Sequence, residues 1–163
     1  MADITMTLRT FDEADYDWLV DLHGRLYAED EGFDETFVAL VAGILREFLH
    51  NHDPACERGF VAVNETGERL GSIFCVRLDA ETAKLRLFLL TPEARGQGLG
   101  RQLLDACTDF ARQTGYARMK LWTHESHRAA CALYARNGWT LQSSKPVRSF
   151  GQSLVEQHWS RPL

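Results

Sequence analysis

Apolar and polar positions change their period several times along this chain. Ile4, Met6 and Leu8 alternate with polar neighbours, which predicts a first strand over Ile4 to Arg9. Trp18, Leu19, Leu22 and Leu26 then fall at helical spacing behind Asp12, a residue able to cap that segment. Phe37, Leu40, Val41, Ile44, Leu45, Phe48 and Leu49 trace the clearest helix, which ends at the turn cluster Asn51-His52-Asp53-Pro54. Two β-rich runs follow, Gly59 to Asn64 and Arg69 to Leu78, with Glu65-Thr66-Gly67-Glu68 as their hairpin loop. A third run, Ala83 to Leu90, closes on Leu87-Phe88-Leu89-Leu90, apolar on both faces like a fully buried strand. Leu99, Leu103, Ala106, Cys107 and Phe110 form one stripe of an amphipathic helix that stops at Thr114-Gly115. Arg118 to Thr123 reads as a strand and His127 to Asn137 as a helix closed by Gly138. Trp139 to Val147 and Gln152 to Ser160 read as a final antiparallel pair.

This order predicts an α/β chain built on a mixed sheet of about seven strands, with four helices on both faces. The unit from Ala83 to Thr123 is expected to be a right-handed parallel crossover, and short loops make the other strands antiparallel. With no repeat or linker in view, residues 1–163 are expected to form one domain.

Composition narrows the function classes. Hydrophobic residues at 45% and charged residues at 25% exclude a disordered or collagen-like chain. Eighteen basic against 23 acidic residues leave a net charge of −5, which argues against nucleic-acid wrapping. Cys56, Cys75, Cys107 and Cys131 contain no CxxC pair, so neither a zinc ribbon nor a thioredoxin-like site is encoded. Buried free thiols in a reducing cytoplasm are the expectation. Met1-Ala2-Asp3-Ile4 lacks the marks of a signal peptide, and the longest apolar stretch, Phe37 to Leu45, is too short to span a membrane.

The informative stretch is Arg95 to Arg101, which joins an apolar strand to a helix and carries glycines at 96, 98 and 100. Such a turn aims free backbone N–H groups and the positive end of the helix dipole at one point, the natural seat of an anion. The Arg-x-x-Gly-x-Gly spacing fits neither a dinucleotide fingerprint nor a Walker A loop. A tight strand-to-helix turn without a ligand is the alternative reading of these residues.

Arg95-Gly96-Gln97-Gly98-Leu99-Gly100 resembles the acyl-CoA-binding signature of the Gcn5-related N-acetyltransferase (GNAT) family, standing as it does after Leu90-Thr91-Pro92. Ala130 to Trp139, with Tyr134 four residues before Gly138-Trp139, resembles the family's fourth-helix motif. Leu121-Trp122-Thr123-His124-Glu125 and Ser149-Phe150-Gly151 look like acetyltransferase halves fused to winged-helix regulators, here without the regulator. The resemblance implies an acetyl-CoA cosubstrate, no metal, and direct attack of a small-molecule or peptide amine on the thioester. It implies that Gly96 to Arg101 hold the pyrophosphate with Arg95 shaping the loop, and that the pantetheine arm runs beside Phe88, Leu89 and Leu90. It also implies that the Leu90 N–H polarises the thioester carbonyl, and that Tyr134 protonates the departing thiolate. A bulge in the strand is part of that expectation.

Two departures stand out. The family's cofactor-contacting asparagine falls on His127, which either hydrogen-bonds in its place or faces solvent behind a Ser126 cap. The strand Ala83-Lys84-Leu85-Arg86-Leu87-Phe88 has no carboxylate to act as base, and Lys84 and Arg86 read as a solvated face. His124 and Glu29 are candidate bases, His124 by virtue of a pKa near neutrality; a surface histidine and a zinc pair with His127 are its other readings. Glu29, Asp30 and Glu31 sit unfavourably at a helix C-terminus, which points to a cationic acceptor or to a solvated loop. Tyr27 and Phe33 flank that run as walls of an acceptor pocket. The rival functions are an acyl-CoA sensor without turnover, and an interaction domain or homodimer paired through its final hairpin.

Overall fold

The computed structural model describes residues 5–163. Among them the strands are β1 (Thr7–Thr10), β2 (Arg58–Val63), β3 (Arg69–Arg77), β4 (Thr82–Leu90), β5 (Arg118–His124), β6 (Thr140–Ser149) and β7 (Gln152–Pro162). The α-helices are α1 (Tyr16–Glu31), α2 (Glu35–Asn51), α3 (Leu99–Thr114) and α4 (Arg128–Arg136). The Ile4 end of the expected first strand lies outside the described residues. The strands form a single sheet in the order β1-β2-β3-β4-β5-β7-β6, antiparallel everywhere except between β4 and β5.

Local chemistry sets the helix ends. The Asp12 carboxylate accepts the Ala14 N–H while Asp15 accepts the Asp12 N–H, a capping box on the short turn that leads into α1. Asp15 is fully buried and takes Arg9 at 2.6 and 2.8 Å and Arg69 at 2.8 Å, tying β1 and β3 to the start of α1. Gly32, at φ 71°, ends α1, and the Asp34 carboxylate caps α2 through the Thr36 N–H. Leu19, Val41, Leu45 and Phe48 of α1 and α2 cover one face of the sheet; Leu99, Leu103, Cys107 and Tyr134 of α3 and α4 cover the other.

The sheet is broken in one place that matters. Phe74 pairs with Arg86 and Ser72 with Leu89, so Leu87 and Phe88 together oppose Ile73 in a β-bulge. Leu87 is left-handed there, at φ 54°, a conformation that costs a branched L-residue roughly 1–2 kcal/mol. The buried Ser72 hydroxyl donates to the Leu87 carbonyl at 2.7 Å and holds the kink. Glycine is required at position 71, where a Cβ would collide with the Leu89 carbonyl oxygen. The consequence is a split sheet. β4 and β5 pair only from Thr82–Lys84 to Arg118–Lys120, whereas β5 stays paired to β7 as far as His124. Leu87, Phe88 and Leu90 are therefore half-buried, and only Leu89 of that run is fully buried, because one strand edge opens onto a cleft.

Candidate active site

The split opens a largely apolar cleft of about 1270 Å³ that runs from the start of α3 to the junction of α1 and α2. At one end lies the glycine turn. Gly96 (φ 76°) and Gly98 (φ 79°) take the left-handed backbone that glycine accepts without strain, and nothing stands within 4 Å of where their Cβ atoms would be. Gly98 caps α3 with no side-chain bond, so the first amides of the helix are left to an outside acceptor. Arg95, Gly96, Gly98, Gly100 and Arg101 line this end. The Arg95 guanidinium stands 3.6 Å from Asp30 and that of Arg101 3.8 Å from Asp105. The Leu99 side chain is buried in the core instead, and the Gln97 amide donates to the Glu93 carbonyl at 3.1 Å. Leu99 can therefore serve an anion only through its backbone.

Tyr134 sits midway along the cleft, 4% exposed and packed near Phe88, Trp139 and Trp159. Burial pushes its phenol well above the ordinary value, so it carries its proton throughout the neutral range. Phe88, Leu89 and Leu90 lie across from it on β4. His127 neither faces solvent nor yields to a Ser126 cap, for it is itself the residue that begins α4. Its ring lies 4.8 Å from Tyr27, and its Nε2 is buried without a hydrogen-bond partner, 3.3 Å from Glu31 Oε1. Burial lowers its pKa to about 4. His124, half-buried at the end of β5, is also lowered by burial, with Glu156 and Glu31 opposing the shift. Both imidazoles are thus predominantly neutral at pH 7. No group of three or more His, Cys, Asp or Glu among the described residues is arranged to hold a metal ion.

The far end of the cleft is aromatic. Tyr27 and Phe37 approach to 4.6 Å, Phe33 and Phe150 to 4.9 Å, and Phe37 and Phe150 to 5.0 Å. Phe150 and Gly151 form the tip of the β6–β7 hairpin, both left-handed, as a two-residue hairpin turn requires. The Phe150 carbonyl accepts the Asp34 N–H at 3.0 Å and Gln152 donates to the Gly32 carbonyl at 3.0 Å, so the tip is latched to the α1–α2 junction. Of the acidic run, Asp30 and Glu31 line the cleft, and Glu29 is exposed outside it.

Sequence reasoning left out several of these residues. Phe37 completes the aromatic end, Phe150 packs behind it against Phe33 and Phe37, and Arg86 lies in the cleft wall, half-buried rather than on a solvated face. Two signals were present in the strands: a lone serine within Leu70 to Cys75, and two cations within an apolar run.

A mixed sheet split after its fourth strand, with a glycine turn feeding a helix at the split, defines an acyl-CoA N-acyltransferase fold. The chain belongs to the acetyltransferase (GNAT) family, whose model matches residues 16–139. It is 35% identical over 74 residues to a mycothiol acetyltransferase of Beutenbergia cavernae, covering 45% of this chain and 25% of that protein. It is 30% identical over 100 residues to an uncharacterized N-acetyltransferase of Bacillus subtilis, covering 58% and 64%. The chain thus spans a quarter of the first relative's length and under two thirds of the second's. Its fold matches the structure of a spermidine N-acetyltransferase from Vibrio cholerae in complex with CoA and spermine, with TM-score 0.75 and 18% identity over 96% of this chain and 95% of that one.

Proposed function

We propose that the protein transfers an acetyl group from acetyl-CoA to a primary amine by direct attack. The observation that carries this reading is the continuity of one cleft. The uncapped turn of α3, the bulged strand and the phenol of Tyr134 all line it, and the aromatic end closes it. The open space above Gly96 and Gly98 and the orphaned Nε2 of His127 fit a ligand with a phosphate end and a polar arm. Acetyl-CoA supplies the acyl group as an activated thioester. The amides of Gly96 to Arg101 take its pyrophosphate, with Arg95 shaping the turn, and the β4 edge at Phe88 to Leu90 aligns its arm.

His124 takes the proton of the attacking amine, directly or through one water, since a neutral imidazole is available at pH 7. The Leu90 N–H polarises the thioester carbonyl. Tyr134 gives its proton to the sulfur as the carbon–sulfur bond breaks, and the proton taken from the amine restores the phenol through solvent. Glu29 is too far outside the cleft lining for the role of base. Release of free thiol from acetyl-CoA in the presence of a panel of primary amines tests the reading. Tight CoA binding without thiol release from any amine would instead make the protein an acyl-CoA sensor.

A further inference from the structure

Resting on the acetyl-transfer reading, we infer that the acceptor amine also carries an oxyanion, bound by Arg86 with Lys84 beside it. Arg86 stands in the wall of the cleft, where it also borders a smaller cavity of about 210 Å³ under the end of α2. It is half-buried, and among the described residues its guanidinium has neither a hydrogen bond nor an ion pair. Burial alone lowers its pKa, with no carboxylate acting to raise it. A guanidinium taken partly out of water without a counter-ion is unfavourable, and Arg presents a planar fork suited to a carboxylate or phosphonate.

The neighbouring groups sharpen the point. Lys84 lies two residues away on β4, its ammonium 4.3 Å from the centre of the Trp122 ring. Burial, and then the Arg86 charge, lower it to about 8. Glu47, which shares the smaller cavity with Arg86, is exposed and forms no ion pair with it, and the other nearby acids are engaged elsewhere. Asp30 faces Arg95, Glu31 faces His127, and Glu156 meets His158 at 2.8 Å. Glu57, in the smaller cavity, spends its two oxygens on the backbone N–H groups of Asp53 and Arg77. With Glu29 outside and Asp30 paired, the cleft wall holds one unpaired guanidinium, that of Arg86, with Lys84 nearby on β4, and Glu31 faces a histidine that is predominantly neutral. This reverses the cationic acceptor expected from the acidic run. The aromatic walls leave room for an apolar body, so the acceptor is a small amino acid-like molecule with a sizeable apolar side chain.

Paired acceptors that differ only in the anion test this: phenylalanine against phenethylamine, leucine against isoamylamine, and 1-amino-2-phenylethylphosphonate against phenethylamine. Turnover is followed by thiol release, and binding to the CoA-loaded protein by calorimetry. The anionic member of at least one pair should be preferred by roughly 10- to 100-fold in kcat/KM, the worth of a charge-assisted hydrogen-bonded pair. Which pair responds tells carboxylate from phosphonate. Arg86→Gln should level the pair through KM, and Arg86→Lys should restore part of the preference; CoA affinity reports whether each variant is folded. Equal or better use of the decarboxylated amines by the unaltered protein overturns the anion site and leaves acetyl transfer standing. Arg86-dependent binding of the anionic amine without thiol release keeps the site and overturns acetyl transfer. Failure of every anionic amine to bind or react overturns the inference.

Discussion

Tyr134 and His124 divide the proton work of the proposed reaction, and their surroundings suit opposite tasks. Burial holds the phenol protonated and keeps the imidazole unprotonated. Tyr134→Phe keeps the ring packed and removes only the proton, so kcat should fall by about 10²–10⁴-fold while CoA affinity, read by calorimetry, stays put. A drop of less than about threefold would separate sulfur departure from this residue. The pH profile carries the second signature. Because His124 titrates below its ordinary 6.5, kcat/KM should hold level at neutral pH and decline only on the acid side of that value. His124→Gln should remove that acid limb. Of these two residues, the tyrosine was pointed to by the resemblance of Ala130 to Trp139 to the family's fourth-helix motif. The histidine stayed ambiguous, because burial at a strand end is a property of the assembled sheet.

At the scale of elements, the bulge in β4 and the turn before α3 are a matched pair, one opening the sheet and the other presenting amides to the opening. Ser72→Ala removes the hydroxyl that holds the Leu87 carbonyl and should cost about 1–3 kcal/mol in denaturant unfolding, since a buried acceptor is left unmade. It should also raise the KM for acetyl-CoA as β4 relaxes toward β5. Gly98→Asp forces a side chain and a negative charge onto a left-handed residue at the helix start, and should weaken CoA binding by more than about tenfold (~1.4 kcal/mol) in calorimetry. The periods of Phe37 to Leu49 and of Leu99 to Phe110 made α2 and α3 legible from sequence, because each keeps one stripe on the core. Residues 87–90 misled for the same reason. Apolar on both faces, they predict a buried strand, and no local pattern reveals that a two-to-one register against Ile73 exposes one edge.

Over the whole molecule, ionisable groups buried on the α1 side set the acid tolerance. Asp15 is pushed up by burial, but its bonds with Arg9, the Asp12 N–H and Arg69 outweigh this and hold it at about 2. Its contribution to stability is complete above the ordinary carboxylate range and lost as pH falls toward 2. Asp15→Asn takes the counter-ion from two part-exposed arginines and should cost about 1–3 kcal/mol, a loss of more than about 2 °C in Tm. His23 and His127 act earlier. Each is lowered to about 4 by burial, so the unfolded chain binds protons that the folded chain refuses. Stability should therefore be full above about pH 6.5 and fall from there to pH 4, with a slope approaching ~1.4 kcal/mol per pH unit for each histidine. Thermal melts between pH 4 and 7.5 check this, and His23→Gln should flatten the curve. The single parallel pair was legible from the strand–helix–strand run between 83 and 123, but the insertion of β7 between β5 and β6 was not. Nor was the docking of the last hairpin on the first two helices, because it joins Phe150 to Asp34 across 115 intervening positions. That latch divides the chain into interchangeable parts. The glycine turn, the bulged strand and Tyr134 all lie between β4 and α4, whereas the hairpin tip backs Phe33 and Phe37, the rings that the junction of α1 and α2 gives to the cleft. On the proposed reading, exchanging Ser149 to Gln152 for a tip of another shape should therefore shift those two rings, and the choice of acceptor with them, while leaving the donor's seat as it is.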